Sequence, residues 1–285
     1  MTRQRLLVVF GLLAFVSTGV HAQWLNFPTP GTPRTRDGKP DLAAPAPKAA
    51  DGHPDLSGVW MHELTSVADM RRLYGPSIDA AIKVDVPGME IGTQHKYALD
   101  ILVDHPSAAT LLRPETVELM KQRAADRDPS NVCMGVLGFP LAGLLSEPIK
   151  IIQAPRTTIV LYEAGSTHRQ VFTDGRALPK TFELPAFLGY SIGRWEGDVF
   201  VVETAGFNDK NALDGRGHPR SEALRVTERF RRRDFGHLDV EMTFDDPRMY
   251  IKPFTVKVPH DLVPDADIFE MFCENEKDRD HLKRP

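Results

Sequence analysis

From Pro148 onward, the chain is a succession of short apolar segments that tight turns separate. The segments are rich in β-branched residues and recur about every ten residues, which is typical of a β-sandwich or a β-barrel. The separators consist of turn-forming residues, as at Glu196-Gly197-Asp198. A closed barrel would remove the exposed edges of such strands. We therefore predict a mainly β protein whose core is an antiparallel up-and-down barrel.

The same pattern predicts where the individual strands lie. A first strand opens at Gly58-Val59-Trp60, well before the other segments. The remaining strands are predicted over residues 149–153, 158–163, 168–173, 189–195, 199–205, 223–233, 238–244, 254–258 and 268–273. Together they define one barrel domain over residues 57–285, a length that suits a single domain.

Two segments precede or interrupt the barrel. Residues 23–56 are rich in proline and alanine, and residues 37–42 and 51–56 repeat one Asp-Gly-x-Pro-Asp-Leu turn sequence. They predict an extended arm that lies over the barrel or moves freely. Residues 64–127 predict a helical insertion, with a helix over 67–74 and another that begins at Arg113-Pro114-Glu115, where proline occupies the first turn.

The first 22 residues carry the signature of a secretory signal peptide. Arg3 and Arg5 precede an apolar stretch from Leu6 to Val20, and a small residue, Ala22, follows it. The apolar stretch is about 15 residues long, shorter than the roughly 20 that span a bilayer. We expect cleavage after Ala22, no membrane anchor, and a mature protein in the periplasm or outside the cell.

The net charge limits the class of binding partner, and the cysteine content bears on the redox state of the thiols. Removal of residues 1–22 deletes two positive charges, so the net charge falls from −4 to −6. An acidic protein of this kind is a poor candidate for nucleic-acid binding. The chain has two cysteines, Cys133 and Cys273, and two cysteines in an oxidising compartment usually pair. We expect a structural disulfide between them.

Three glutamates each lie two residues after an apolar residue, on the same face of their predicted strand. Glu163 continues the face of Leu161, Glu203 continues the face of Val201, and Glu228 lies on an apolar face of its own strand. A charge on a buried face is costly unless it is paired, so a strand end beside water is the simpler alternative for any one of them. All three together predict a polar floor in a common cavity, because inward side chains of a barrel converge.

Other polar and aromatic side chains lie near the predicted strand ends. The ligand-binding candidates are Tyr162, Arg169, Asp174, Arg176, Tyr190, Asn208 and Glu222, and the catalytic candidates are Glu163, Glu203, Glu228 and His168. A carboxylate in an apolar cavity has a raised pKa and can act as a general acid or base near neutral pH. An arginine such as Arg169 or Arg176 would instead hold the carboxylate ionised.

Motifs for other chemistry are weak in this sequence. Residues 189–193 match the Gly-x-Ser-x-Gly nucleophile elbow, but the residues after them predict a turn into another strand rather than the helix that the elbow requires. We therefore expect that Ser191 is not a nucleophile. The sequence has no His-Glu-x-x-His motif, no cysteine pair at metal-ligand spacing and no glycine-rich phosphate loop. We expect neither a metal site nor a cofactor.

Several motifs together are similar to those of a known family. They occupy residues 51–60, 189–198, 201–208, 226–230 and 245–247, and the first of them reads Asp-Gly-His-Pro-Asp-Leu-Ser-Gly-Val-Trp. Over nearly the whole mature chain, the sequence resembles a large, uncharacterised family of secreted bacterial proteins. The resemblance implies secretion and brings no activity with it.

A shorter motif is similar to a feature of the lipocalin-like (calycin) barrels. Gly58-Val59-Trp60 matches their Gly-x-Trp at the start of the first strand. The resemblance implies that Trp60 closes the base of the barrel, stacked on an arginine from a late strand.

Three functions stay open on these observations. The protein binds a small, largely apolar or aromatic molecule in its interior; or it is a cofactor-independent isomerase, lyase or hydrolase that uses cavity carboxylates; or it is a structural envelope protein with a filled core. We favour the binding protein because no catalytic constellation stands out. The expected partner is a small-molecule ligand or substrate, and a homodimer is compatible with this prediction.

Overall fold

The computed structural model describes residues 28–76, 78, 94–125 and 138–270. Within these residues, nine strands follow one another around a closed barrel in chain order. The fold is mainly β, as predicted. The strands are β1 Gly58–His62, β2 Ile149–Ala154, β3 Thr157–Tyr162, β4 Thr167–Phe172, β5 Tyr190–Glu196, β6 Val199–Ala205, β7 Arg225–Arg232, β8 His237–Asp245 and β9 Phe254–Leu262.

One pair of neighbouring strands departs from the predicted antiparallel meander. β4 and β5 pair in parallel, with Val171 opposite Ser191 and Phe172 opposite Ile192. Parallel neighbours need a long crossover in place of a hairpin, and residues 173–189 provide it. The other strand pairs are antiparallel, including β1 with β9, which closes the barrel.

The prediction of a last strand over residues 268–273 is wrong for the part that can be compared. Residues 268–270 belong to no strand, and residues 271–273 lie outside the described part of the chain. The backbone N–H of Phe269 donates to the Glu163 side chain instead of to a neighbouring strand.

Each strand turns alternate side chains into the barrel, as a period of two requires. On β7, Val226, Glu228 and Phe230 are buried, whereas Arg225 and Arg231 on the opposite face are exposed. The inward side chains form one apolar core that fills most of the barrel. The core therefore lies between the walls of a single curved sheet.

The arm packs against one end of the barrel, which we call the arm end. Its two repeats form the same turn, because the bond from Thr35 N to Lys39 O recurs between Ala49 N and His53 O. The last residue of the second repeat, Leu56, is fully buried. The His53 ring stacks on Trp195 of β5 at 4.7 Å between centroids. Over residues 28–56, the arm is therefore a docked part of the fold.

The opposite end is closed by residues 138–146, which we call the plug. The plug contains a 3-10 helix, Leu141–Gly143, and inserts the buried side chains of Phe139 and Leu144. The Phe139 ring lies 6.0 Å from that of Phe207, measured between centroids. The Arg220 guanidinium holds this end together, since it donates to the carbonyls of Phe139, Phe187 and Asn208.

The α-helices of the described residues lie between β1 and β2. Two match the sequence prediction: the first starts at the Ser66 cap, and the last starts at Pro114. In chain order they are α1 Val67–Tyr74, α2 Lys96–Leu99, α3 Ala108–Leu111 and α4 Pro114–Ala125. None of the helices in the described ranges is long and apolar enough to cross a membrane.

Candidate functional site

A buried ion pair crosses the interior of the barrel. Arg169 of β4 and Glu228 of β7 form two hydrogen bonds of 2.6 and 3.0 Å, and each side chain is only 3 % exposed. Two other strands separate β4 from β7 around the barrel wall, so the pair spans the cavity. The guanidinium also lies over the Phe139 ring of the plug, 4.8 Å from its centroid. The two hydrogen bonds therefore pair opposite charges in a desolvated place.

The space around this pair is small. A void of about 30 Å³ lies between the plug and the barrel wall, and its polar lining consists of Tyr162, Arg169, Glu228 and His260. A second void of about 10 Å³ lies nearer the arm end and is mainly apolar. Burial raises the pKa of the Tyr162 hydroxyl to about 12, so this group stays protonated. The described interior is therefore packed, with room only for molecules the size of water.

The prediction that three glutamates share one cavity is wrong. Only Glu228 points inward. Glu203 lies on the outer face of β6 in an ion pair with Arg194, and Glu163 lies past the end of β3, where its carboxylate accepts the Phe269 N–H at 2.8 Å. The alternation of side chains along each strand was predicted correctly. However, the apolar residues that share a face with Glu163 and Glu203 lie on outer faces that are partly covered, not on the inner faces. Partial burial of Glu163 raises the pKa of its carboxyl.

Three of the predicted ligand-binding residues come together, but on the surface. The Arg176 guanidinium donates to Asp174 and to the Tyr190 hydroxyl, at 2.6 and 2.9 Å. It also lies 3.9 Å from the centroid of the Phe172 ring, which stacks on Tyr190. The cluster joins the end of β4 to the start of β5 and does not line the interior. Its hydrogen bond to Arg176 lowers the pKa of Asp174 to about 2.

The other candidate residues are scattered. His168 and Glu222 are exposed, and His168 lies on the outer face of β4. Asn208 is buried near the plug end, where its side-chain oxygen accepts from Arg220 and from the Lys210 backbone. These residues and the ion pair therefore do not form one site.

Three buried histidines at the plug end were not among the sequence candidates. The His62 ring packs edge-on against His95 and His260, at centroid distances of 5.4 and 6.4 Å. Burial lowers the pKa of His95 and of His260 to about 3, with His62 as a second cause in both. Both are therefore neutral at physiological pH. No local motif joins them, because they come from three distant segments.

A groove lies outside the barrel at the arm end, and we call it the arm groove. Its volume is about 900 Å³. Its apolar lining includes Val59, Phe235, Leu262, Val263 and Pro264, and its charged lining includes Asp55, Lys150, Arg232 and Asp267. One wall is formed by arm residues 29–32, which Arg34 fixes to the body through two hydrogen bonds to Asp265, of 2.7 and 2.8 Å.

The charged side chains that line the arm groove already have partners, whereas the Thr32 hydroxyl, which also lines it, is buried without one. Lys150 pairs with Asp267 at 2.7 Å. The Arg232 guanidinium donates to the backbone carbonyls of Asp234, Asp55 and Phe235. The surface left for a ligand is therefore mainly apolar.

One cluster in the described residues has the composition of a metal site. Asp100, Asp214 and His218 bring their ligand atoms within 4.8 Å of one another. The buried Asp214 carboxylate accepts from the Ile101 and His218 backbone and faces the His218 ring at 2.6 Å, while Arg216 pairs with Asp100. These contacts use the carboxylates to join two loops, and the arginine opposes a cation. The cluster is explained by its structural contacts.

Ser191 has the surroundings of a structural residue. It lies within β5, is fully buried, and its hydroxyl is 2.8 Å from that of Thr204. β5 leads through a turn into β6 and not into a helix, which agrees with the interpretation of the elbow motif as coincidental.

Two predictions lie outside the described residues. The signal peptide occupies residues 1–22, and the cysteines are at positions 133 and 273, so the structure bears on neither.

Comparison of the chain with protein-family models, with curated proteins and with solved structures finds no match in any of the three. Membership of the family of secreted bacterial proteins therefore stays a prediction from the motifs.

Proposed function

We propose that the protein binds a small, largely apolar or aromatic molecule and that the arm groove is the binding site. The observation that carries this proposal is the groove's volume of about 900 Å³ together with its apolar lining. Sites for small molecules typically have volumes of about 300–1,000 Å³ and an apolar lining with a few polar groups.

The volumes favour the groove over the interior, where the sequence had suggested a site. A void of about 30 Å³ admits a drug-sized molecule only if the plug leaves the barrel. The plug is tied by Phe139 and Leu144 in the core and by Arg220, which makes such a movement costly.

Catalysis by interior carboxylates has less support. Glu228 is the carboxylate that faces the cavity, and both of its oxygens accept from Arg169. A general base must lie within hydrogen-bond reach of the substrate proton, and the void of about 30 Å³ beside Glu228 has no room for a substrate. A structural role in the envelope is compatible with the packed core, but it does not account for the arm groove.

The proposed place of action is outside the cytoplasm, supported by the charge and apolar pattern of residues 1–22. Mass spectrometry of the exported protein should find Gln23 as the first residue. An intact Met1 terminus would contradict this part of the proposal.

The binding proposal can be tested with N-phenyl-1-naphthylamine, a neutral aromatic probe that fluoresces in apolar surroundings. The full mature chain should bind it with saturation. Ala266→Trp places a large side chain in the groove and should weaken binding at least tenfold. Ala223→Trp is the control, because Ala223 is also partly buried but lies outside the groove lining.

Both variants should melt within a few degrees of the wild type. Failure of the wild type to bind the probe with saturation would count against the proposal. Equal affinity in wild type and Ala266→Trp would place the site elsewhere.

A further inference from the structure

One nitrogen of the Arg169 guanidinium, Nε, has no hydrogen-bond partner. Its two terminal nitrogens bind Glu228, but Nε has no partner and is shielded from solvent. A buried N–H group left unbonded carries a desolvation penalty, which is larger when the group is charged. Such an orphan donor in a well-packed core calls for an explanation, and a common one is a water molecule.

The void beside Arg169 has the size and lining that water needs. Its volume of about 30 Å³ exceeds the roughly 10–15 Å³ that one water requires. Its lining offers Tyr162, Glu228 and His260 in addition to the guanidinium. His260 donates from Nδ1 to the Val258 carbonyl at 2.9 Å, and as a neutral ring it keeps Nε2 as an acceptor.

The smaller void near the arm end is a natural comparison. Arg169 borders it too, but its volume is about 10 Å³ and most of its lining is apolar, including Val171, Phe200 and Val202. It falls at or below the size limit for water, and apolar voids of this kind stay dry.

We infer that the void under the plug is a binding site for one or two ordered water molecules, and that one of them accepts the hydrogen bond from Arg169 Nε. The water gives Nε a partner and links the guanidinium to the polar groups on the opposite wall. The ion pair and its water then form a hydrated link between β4 and β7, and Phe139 covers this link. This inference does not depend on the proposed function, because the arm groove is at the other end of the barrel.

Two matched variants test the site. Val240→Ile adds a methyl group beside the void under the plug, and Val202→Ile adds one beside the smaller void. Both valines are buried on inward faces. High-resolution crystal structures and ¹⁷O relaxation dispersion of water, which counts long-lived internal waters, are the measurements.

The wild-type crystal should show a spherical peak at about 2.7–3.2 Å from Arg169 Nε. Val240→Ile should lose this peak and reduce the relaxation amplitude, while Val202→Ile should keep both. An empty void in the wild type would overturn the inference, as would density that fits a larger organic molecule. An amplitude equal in wild type and Val240→Ile would place the long-lived water elsewhere and overturn it as well.

Discussion

The guanidinium of Arg232 lies over the ring of Trp60, 4.9 Å from its centroid. Trp60 is fully buried in β1, and Arg232 ends β7, so the contact joins an early strand to a late one across the arm end. This is the arrangement that the resemblance of Gly58-Val59-Trp60 to lipocalin-like barrels implies. Glycine suits position 58, because its φ of 145° is one that L side chains rarely adopt, and a Cβ there would also lie 2.6 Å from Leu262 Cδ1.

Arg232→Lys should destabilise the protein by about 2–4 kcal/mol. Lysine keeps the charge but cannot donate to three carbonyls or stack its flat face on Trp60, and a desolvated cation–π contact contributes up to about 2 kcal/mol. Urea unfolding followed by tryptophan fluorescence measures the loss. Arg231→Lys is the control, since Arg231 is exposed, and it should change stability by less than about 0.5 kcal/mol.

Glu228→Gln and Glu203→Gln should differ sharply, although both remove one carboxylate from an ion pair with arginine. Glu228→Gln leaves the Arg169 charge buried, and we expect a loss of about 3–5 kcal/mol. Glu203→Gln disturbs an exposed pair, in which Arg194 is 51 % exposed, and should cost at most about 1 kcal/mol. Chemical denaturation measures both. Equal effects would mean that the buried pair is not closed in solution.

Mild acid should destabilise the fold through the buried histidines. Burial holds the pKa of His95 and His260 at about 3, against 6.5 for an ordinary histidine. Below pH 6.5 the unfolded chain takes up protons that the folded chain does not, so stability is fully present above pH 6.5 and falls as the pH drops toward 3. Well below pH 6.5, each histidine contributes up to about 1.4 kcal/mol per pH unit.

The measurement is the free energy of unfolding at several pH values between 7 and 5. His95→Asn is the informative variant, because the Asn side chain can still accept the Tyr97 N–H at the start of α2. Its slope with pH should be smaller than that of the wild type. An identical slope would show that His95 is protonated or exposed in the folded state.

His53→Ala should loosen the arm without unfolding the barrel. The stack on Trp195 is nearly parallel, with 3° between the rings, and stacked pairs contribute about 0.5–1.5 kcal/mol. Thermolysin cleavage within residues 28–56 should become severalfold faster, while the melting temperature changes little. Lys39→Ala is the control, because Lys39 is the equivalent position of the first repeat and its side chain is 80 % exposed. Equal cleavage of both variants would contradict the prediction.

Cys133 and Cys273 should be joined in the exported protein. A disulfide between them would close a loop of about 140 residues and stabilise the fold by roughly 5 kcal/mol in the loop-entropy model. Thiol titration under denaturing, non-reducing conditions should find no free thiol. Two free thiols in freshly exported material would refute the pairing.

The local sequence determined the strands and the turns. β6 begins and ends at the predicted residues 199 and 205, and most other strands agree with the prediction to within a few residues. This is possible because a β-branched run between Asp-Gly or Gly-Asp turns has few alternative conformations. The helix start at Pro114 also came from a short motif. A late-strand arginine as the partner of Trp60 was implied only by the resemblance to lipocalin-like barrels.

Only the tertiary structure decided which face of each strand points inward and what fills the barrel. Ile159 and Leu161 precede Glu163 on a face that the sequence suggests is buried, yet Val160 and Tyr162 are the inward residues. A period of two separates the faces but does not say which is inside when both carry apolar residues. The same holds for three other features: the Arg169–Glu228 pair, the three histidines and the arm groove. Each is made of residues far apart in the chain. These residues come together only when the barrel closes, which local sequence does not specify.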